Sequence, residues 1–185
     1  NYIGKLRTLR VPGFRNPKPV VAVLRLSGVV GQMGNPLRQG LTSAGMVRSI
    51  ERAFSLPRLK AVALQINSPG GSPVQSSLIF KRIRSMAEEK DIPVVAFAED
   101  VAASGGYMLA CAADEIFADE SSVLGSIGVI SAGFGFVELL EKIGIERRIH
   151  TEGKNKSMLD PFLKERSQDV RRLKDLQGDI YKTFT

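Results

Sequence analysis

With 185 residues, 43% of them hydrophobic and 24% charged, the chain has the composition of one globular domain large enough for a real core. The net charge of +7 comes without an aromatic-rich basic stripe or a nucleic-acid motif, so nucleic acid is not an expected partner, and the Lys and Arg at both ends read as solvated faces plus a basic segment near a membrane. A single cysteine, Cys111, excludes an intrachain disulfide and a cysteine-rich zinc site, and no apolar run approaches the ~20 residues that span a bilayer.

Residues 1–19 are basic and carry Pro12, Gly13, Pro17 and Pro19, which reads as an arm or linker. No signal peptide is visible, and a start at Asn1 reads as a fragment with room for an anchor upstream. Val20–Leu26 is a valine-rich run expected to form a buried strand, and Gly28–Gly40 a loop. Ser43 is expected to cap a helix to about Phe54, with Met46, Val47, Ile50 and Phe54 on one face. Leu59–Ile66 is the next strand, and Asn67-Ser-Pro-Gly-Gly71 leads from it into a helix from about Pro73 to Glu89, whose apolar face is Leu78, Ile79, Ile83 and Met86.

A third strand is expected over Pro93–Ala98, then a small-residue helix over Ala103–Ala112 that opens at Ser104 and buries Cys111. Glu115–Ala118 reads as a short strand, Gly125-Ser-Ile-Gly128 as a turn, Phe136–Ile143 as a helix and Ile145–Thr151 as a strand. After the loop Gly153-Lys-Asn-Lys-Ser157 comes an amphipathic helix from Lys164 to about Phe184, with Val170, Leu173, Leu176 and Ile180 near helical spacing. This last helix has too much apolar face to stand alone and is expected to pack on the domain or on a neighbouring subunit. Strands alternating with helices imply an α/β domain with a largely parallel sheet.

The chemistry gathers around Ser104. A strand, a turn and a helix opening at a serine put its hydroxyl near the positive end of the helix dipole. Gly105 leaves room for a substrate backbone and offers an N–H to a developing oxyanion. The same segment also reads as an ordinary serine N-cap. In the upstream loop Pro69 fixes φ and the glycine pair can turn N–H groups outward, Gly71 being the expected second donor. This loop lacks the Gly-Lys-Ser/Thr ending of a phosphate loop.

Two bases are available to a serine hydroxyl. His150, the only histidine, reads as an ordinary strand residue. Lys156 is the alternative, and an amine serves only if its pKa falls from about 10.4 toward neutrality. Burial and the positive potential of the helix behind Ser104 both act in that direction. Ser126 is a candidate to orient the amine, while Lys154 points elsewhere in an extended loop.

Asn67-Ser-Pro-Gly-Gly71, Val101-Ala-Ala-Ser-Gly-Gly-Tyr107, Gly125-Ser-Ile-Gly-Val129 and Gly153-Lys-Asn-Lys-Ser157, in that order, resemble the motifs of the S49 serine peptidases from about Val20 to Phe162. The resemblance implies a ClpP/crotonase-like β-superhelix of βαβ units over residues 20–163, followed by the helical segment 164–185. It implies Ser104 as nucleophile, Lys156 as general base, Ser126 as the residue orienting the lysine, and Gly105 with Gly71 as oxyanion donors, with no metal or cofactor. It also implies hydrophobic, signal-peptide-like substrates, a homo-oligomer in which serine and lysine can come from neighbouring copies, with Lys156 acting within one chain or between chains left open, and membrane association on the periplasmic or extracytoplasmic side, a cytoplasmic location remaining open. Two other readings stand beside it. Glu99 and Asp100, ahead of the Ser104 turn, allow a crotonase-type enzyme acting on acyl-CoA thioesters, and the same fold can serve as a non-catalytic scaffold in membrane-protein quality control.

Overall fold

A computed structural model describes residues 18–32, 40–153 and 155–184. Most of the expected basic arm, part of the loop at 28–40 and Lys154 lie outside the described residues. The elements are β1 (Val20–Ser27), α1 (Ser43–Phe54), β2 (Leu59–Ser68), α2 (Pro73–Lys90), β3 (Val94–Ala103), α3 (Gly105–Ala110), β4 (Glu115–Ala118), β5 (Val123–Gly125), α4 (Val137–Lys142) and α5 (Ser167–Lys182). They fall into two compact units, one ending at Ile127 and the other beginning at Gly128.

The first unit holds a five-stranded sheet in the order β1-β2-β3-β4, with β5 also paired to β3. Every pairing is parallel, so a connection must cross over between partners, and α1 and α2 make the first two crossovers. Strand β3 is long enough to take two partners along one edge. Val95–Ala98 pair with β4 and Val101–Ala103 with β5.

Alternation along β2 sets the core: Val62, Leu64 and Ile66 are fully buried, and Leu24, Leu26, Val94 and Ala96 extend that face across the sheet. Ile50 and Phe54 of α1 and Ile79, Ile83 and Met86 of α2 close over it. On the opposite face of this unit Val21, Val23, Phe97 and Phe117 are exposed. Phe97 and Phe117 lie opposite each other in register, with ring centroids 5.6 Å apart.

Several local expectations are corrected. Helix α1 is capped by Thr42, whose hydroxyl accepts the Gly45 N–H at 3.1 Å, because Thr42, not Ser43, is the last extended residue. Helix α2 turns Ser76, Ile79, Ile83, Met86 and Ala87 inward, which rotates Leu78 out to solvent. Cys111 is exposed because α3 stops at Ala110, although partial burial of the thiol still pushes its pKa up. Ile145–Thr151 forms no strand, since no described strand pairs with it. Within the second unit, Arg147 pairs with Asp160 at 2.6 Å and lies 4.6 Å over the Phe162 ring, and Phe162 stacks on Phe136.

Asp114 fastens the start of β3 to the approach to β4. Its carboxylate accepts the Val94 N–H at 2.8 Å, its own N–H donates to the Val94 carbonyl at 2.8 Å, and Arg84 donates to the carboxylate at 2.8 Å and to the Ala112 carbonyl at 3.2 Å. The Val94 N–H, and after it Arg84, hold the Asp114 carboxyl below its ordinary pKa. A depressed folded-state pKa stabilises the fold above the ordinary carboxylate value and loses that contribution as pH falls through the folded value. Asp114→Asn is therefore expected to melt below wild type at pH 7, with the gap closing as the pH is taken below about 3.9, as read from thermal melts across that range.

Candidate active site

Strand β3 ends at Ala103, five residues beyond the end expected at Ala98, and runs directly into Ser104. Its last pairs with β5 match Ala102 to Leu124 and Ala103 to Gly125, and the Ser104 N–H donates to the Gly125 carbonyl at 2.7 Å. That bond holds the serine in line with the strand while the chain turns into α3. Ser104 has φ 51° and ψ −123°, a conformation costly for a residue with a Cβ and the same kind of strained strand-to-helix turn that lifts a nucleophile clear of its sheet. Its hydroxyl makes no capping bond to the helix, which removes the N-cap reading, and the residue is only partly buried. Ser126 follows Gly125, so the register sets it beside Ser104, and it too has positive φ, at 53°.

The Asn67–Gly71 loop closes on this turn with no side chain between. A methyl placed on Gly70 would lie 2.6 Å from the Gly105 nitrogen and 2.8 Å from Ser104 Cβ. One placed on Gly105 would lie 2.2 Å from Ser76 Oγ and 3.4 Å from the Gly71 nitrogen. Gly71 has φ 145° and packs on Val30, whose carbonyl oxygen would be 2.1 Å from an added methyl, so only glycine fits there.

The two expected oxyanion donors are aimed by their own peptide planes. A trans peptide points its N–H opposite its carbonyl. The carbonyl of the Gly70–Gly71 peptide accepts the Val30 N–H at 2.8 Å, so the Gly71 N–H is turned away from Val30. The carbonyl of the Ser104–Gly105 peptide accepts the Met108 N–H at 3.0 Å, so the Gly105 N–H points out past the start of α3. The glycines of the pair differ: the Gly70 N–H is spent on Ser68 Oγ at 3.2 Å in the interior, while Gly71 is exposed. Among the described residues, no protein acceptor takes the N–H of Gly71 or Gly105.

The two acidic residues ahead of the turn are held by amides of β2. Gln65 donates to Glu99 at 2.6 Å and Asn67 to Asp100 at 2.7 Å. Ser122 donates to the Glu99 carbonyl at 2.6 Å, tethering the approach to β5. No group of His, Cys, Asp and Glu suited to a metal occurs among the described residues.

Lys156 belongs to the second unit, in the turn 155–159, and is exposed, so this unit does not bury it. Its N–H donates to the Gly153 carbonyl at 3.2 Å, and the neighbouring Asn155 side chain is hydrogen-bonded by Arg172 of α5. His150 is exposed too, in irregular chain. A cavity of about 390 Å³ in this unit is lined by Phe134, Ser157, Leu163 and Asp169 among others, but not by Lys156.

Comparison with known proteins decides the family. Residues 86–185 match peptidase family S49. The chain belongs to that family. Its parallel βαβ units, with β3 passing from β4 to β5 along one edge, are the expected ClpP/crotonase-like arrangement. The chain is 52% identical over 181 residues to the Na(+)/H(+) antiporter NhaA of Brucella melitensis biotype 1, a match covering 98% of this chain and 25% of that protein. It is 34% identical to the chloroplastic serine protease SPPA of Arabidopsis thaliana, over 92% of this chain and 24% of that one. It is 30% identical to a putative signal peptide peptidase SppA of Enterococcus faecium, over 93% of this chain and 50% of that one. The chain thus spans between a quarter and a half of the length of these relatives. No described helix is long and apolar enough to cross a membrane.

The close approach of the two turns is testable through Gly106, where an added methyl would lie 2.4 Å from the Ser68 carbonyl oxygen. Gly106→Ala is expected to destabilise the fold by about 1–3 kcal/mol, the usual cost of overpacking. Gly178→Ala, in α5 with nothing within 4 Å of the new methyl, is expected to stabilise it by about 0.5–1 kcal/mol. Urea unfolding of the two variants beside wild type measures both.

Proposed function

We propose that the chain is the catalytic part of a serine peptidase in which Ser104 is the nucleophile and Lys156 the general base. The observation that carries this reading is the Ser104 turn itself: a strained serine with an unspent hydroxyl, beside the exposed Gly71 N–H and the Gly105 N–H, neither of which has a protein acceptor among the described residues. The serine protease and signal peptide peptidase names of two relatives agree with it.

In this mechanism Ser104 Oγ attacks the scissile carbonyl while the neutral Lys156 amine takes its proton. The Gly71 and Gly105 N–H groups stabilise the tetrahedral oxyanion, and such preorganised donors supply a large share of acyl-transfer catalysis. The lysine then returns the proton to the leaving amine, and water, activated by the same base, releases the acyl-enzyme. Ser126 orients the lysine. Hydrophobic peptides, such as signal-peptide remnants at a membrane surface, are the substrates, and no metal or cofactor is required.

A lysine is a base only when neutral, and burial favours the neutral form. Lys156 is not buried by its own unit. We assign the missing burial to assembly: Lys156 of one copy serves Ser104 of the next. Exposed apolar residues support this, since Val123 and Leu124 of β5 and Ile130 and Phe134 beyond it are surfaces that assembly would cover.

Ser104→Ala and Lys156→Ala are each expected to lower kcat/KM on an apolar peptide substrate by at least about a thousandfold. Mixing the two inactive variants is expected to restore activity, because some mixed assemblies pair an intact serine with an intact lysine. An active wild type whose mixed variants stay inactive places the dyad within one chain, and undiminished activity in both variants ends the dyad reading.

A further inference from the structure

Two fully buried serines stand behind the donor pair without a part in the reaction above, Ser68 at the end of β2 and Ser76 in the first turns of α2. A buried hydroxyl is costly to keep unless it is hydrogen-bonded, and both are. Ser68 Oγ accepts the Gly70 N–H at 3.2 Å. Ser76 Oγ donates to the Ser72 carbonyl at 3.0 Å, one helical turn back.

Each bond acts on a neighbour of a donor. The Ser68 bond fixes the peptide immediately before Gly70, while the Val30 N–H fixes the one after it through the Gly70 carbonyl. The only N–H of the pair left to face outward is that of Gly71. Loss of the Ser68 hydroxyl strands the Gly70 N–H in the interior, and the cheapest relief is rotation of the loop. Ser76 works from the other side. Its bond to Ser72 fixes the rotamer in which Oγ lies under Gly105, within 2.2 Å of where a methyl on Gly105 would sit. The Ser68 carbonyl and Cβ press on Gly106 in the same way, at 2.4 and 3.1 Å from an added methyl.

We propose that Ser68 and Ser76 are positioning residues that hold the Gly71 and Gly105 N–H groups at the separation an oxyanion needs. This rests on the peptidase reading of Ser104. Neither serine touches substrate. They act by making the two turns seat against each other in one way, and a misplacement of even an ångström between donors and the reacting centre costs rate rather than substrate affinity.

The test uses the full chain and four variants, Ser68→Ala, Ser68→Thr, Ser76→Ala and Ser104→Ala, with kcat and KM on one apolar peptide substrate. It adds the rate of labelling by a fluorophosphonate, whose adduct places an oxygen in the same donor pair, and a thermal melt for each protein. Ser68→Ala is expected to lower kcat and the labelling rate by about tenfold or more, with KM within about twofold. Ser68→Thr, which keeps the hydroxyl, is expected to retain most of both rates, and Ser76→Ala to lower them by less than Ser68→Ala. Wild-type kcat and labelling in both alanine variants overturns the inference and leaves the peptidase reading standing. So does a loss that follows the fall in melting temperature and is not recovered in Ser68→Thr. Hydrolysis and labelling absent from wild type and Ser104→Ala alike overturn the peptidase reading itself, and this inference with it.

Discussion

The contact on which the site depends is made mostly of backbone, with the small side chain of Ser76 behind it. The Asn67–Gly71 loop and the Ser104–Gly106 turn meet at distances that exclude even a methyl group at Gly70 or Gly106, and Ser76 excludes one at Gly105. Close packing of this kind tolerates no rearrangement smaller than a separation of the two turns. The glycines therefore act by leaving nothing between two sets of N–H groups. The larger residues nearby, Val30 and Met108, contribute by occupying the carbonyls on the far side of the same peptide planes.

The sheet supplies the leverage for this contact. Strand β2 carries the loop, its neighbour β3 carries the serine, and the parallel pairing brings both strand ends out at the same edge. At the register break between Ile66 and Ser68 β3 takes up extra residues, so Ser68 pairs with Ala102 and the start of the loop comes out level with the Ser104 turn. On the other edge, β5 takes over from β4 where β3 would otherwise lose its partner. The Ser104 N–H is satisfied by Gly125, and this bond helps to hold a backbone conformation that costs about 1–3 kcal/mol.

Much of this was legible in the residues. Valine-rich and alternating runs mark β1 and β2, Pro73 marks the start of α2, and the glycine pairs mark the turns. What escaped has local causes. The strand expected to end at Ala98 continues to Ala103 because β5, a three-residue strand with little signal of its own, pairs with it. Leu78 is as apolar as its neighbours, and only the position of the sheet shows that α2 turns Ser76 inward instead. Ile145–Thr151 has the composition of a strand but no partner among the described residues. Four of the site residues, Ser104, Ser126, Gly71 and Gly105, lie in the first unit at the places the motifs indicate. Their proximity was legible, but the peptide-plane orientation that separates Gly70 from Gly71 was not, since it depends on Val30, far away in sequence. Lys156 was singled out by motif alone, and the burial expected for it is not provided by its own unit.

The Ser104–Gly125 hydrogen bond also bears on when the site comes into being. The parts around the serine come from near residue 30, from 67–71, from 104–106 and from 125–126, so every contact among them closes a loop of about twenty residues or more. Each of these contacts must offset its loop-closure entropy, as the strand pairings of the sheet must, so the site forms only together with the sheet. A chain emerging during synthesis carries the serine long before it carries Gly125, and for that interval the strained turn has nothing to hold it. On the proposed peptidase reading, hydrolytic competence is thereby tied to completion of the sheet around Ser104.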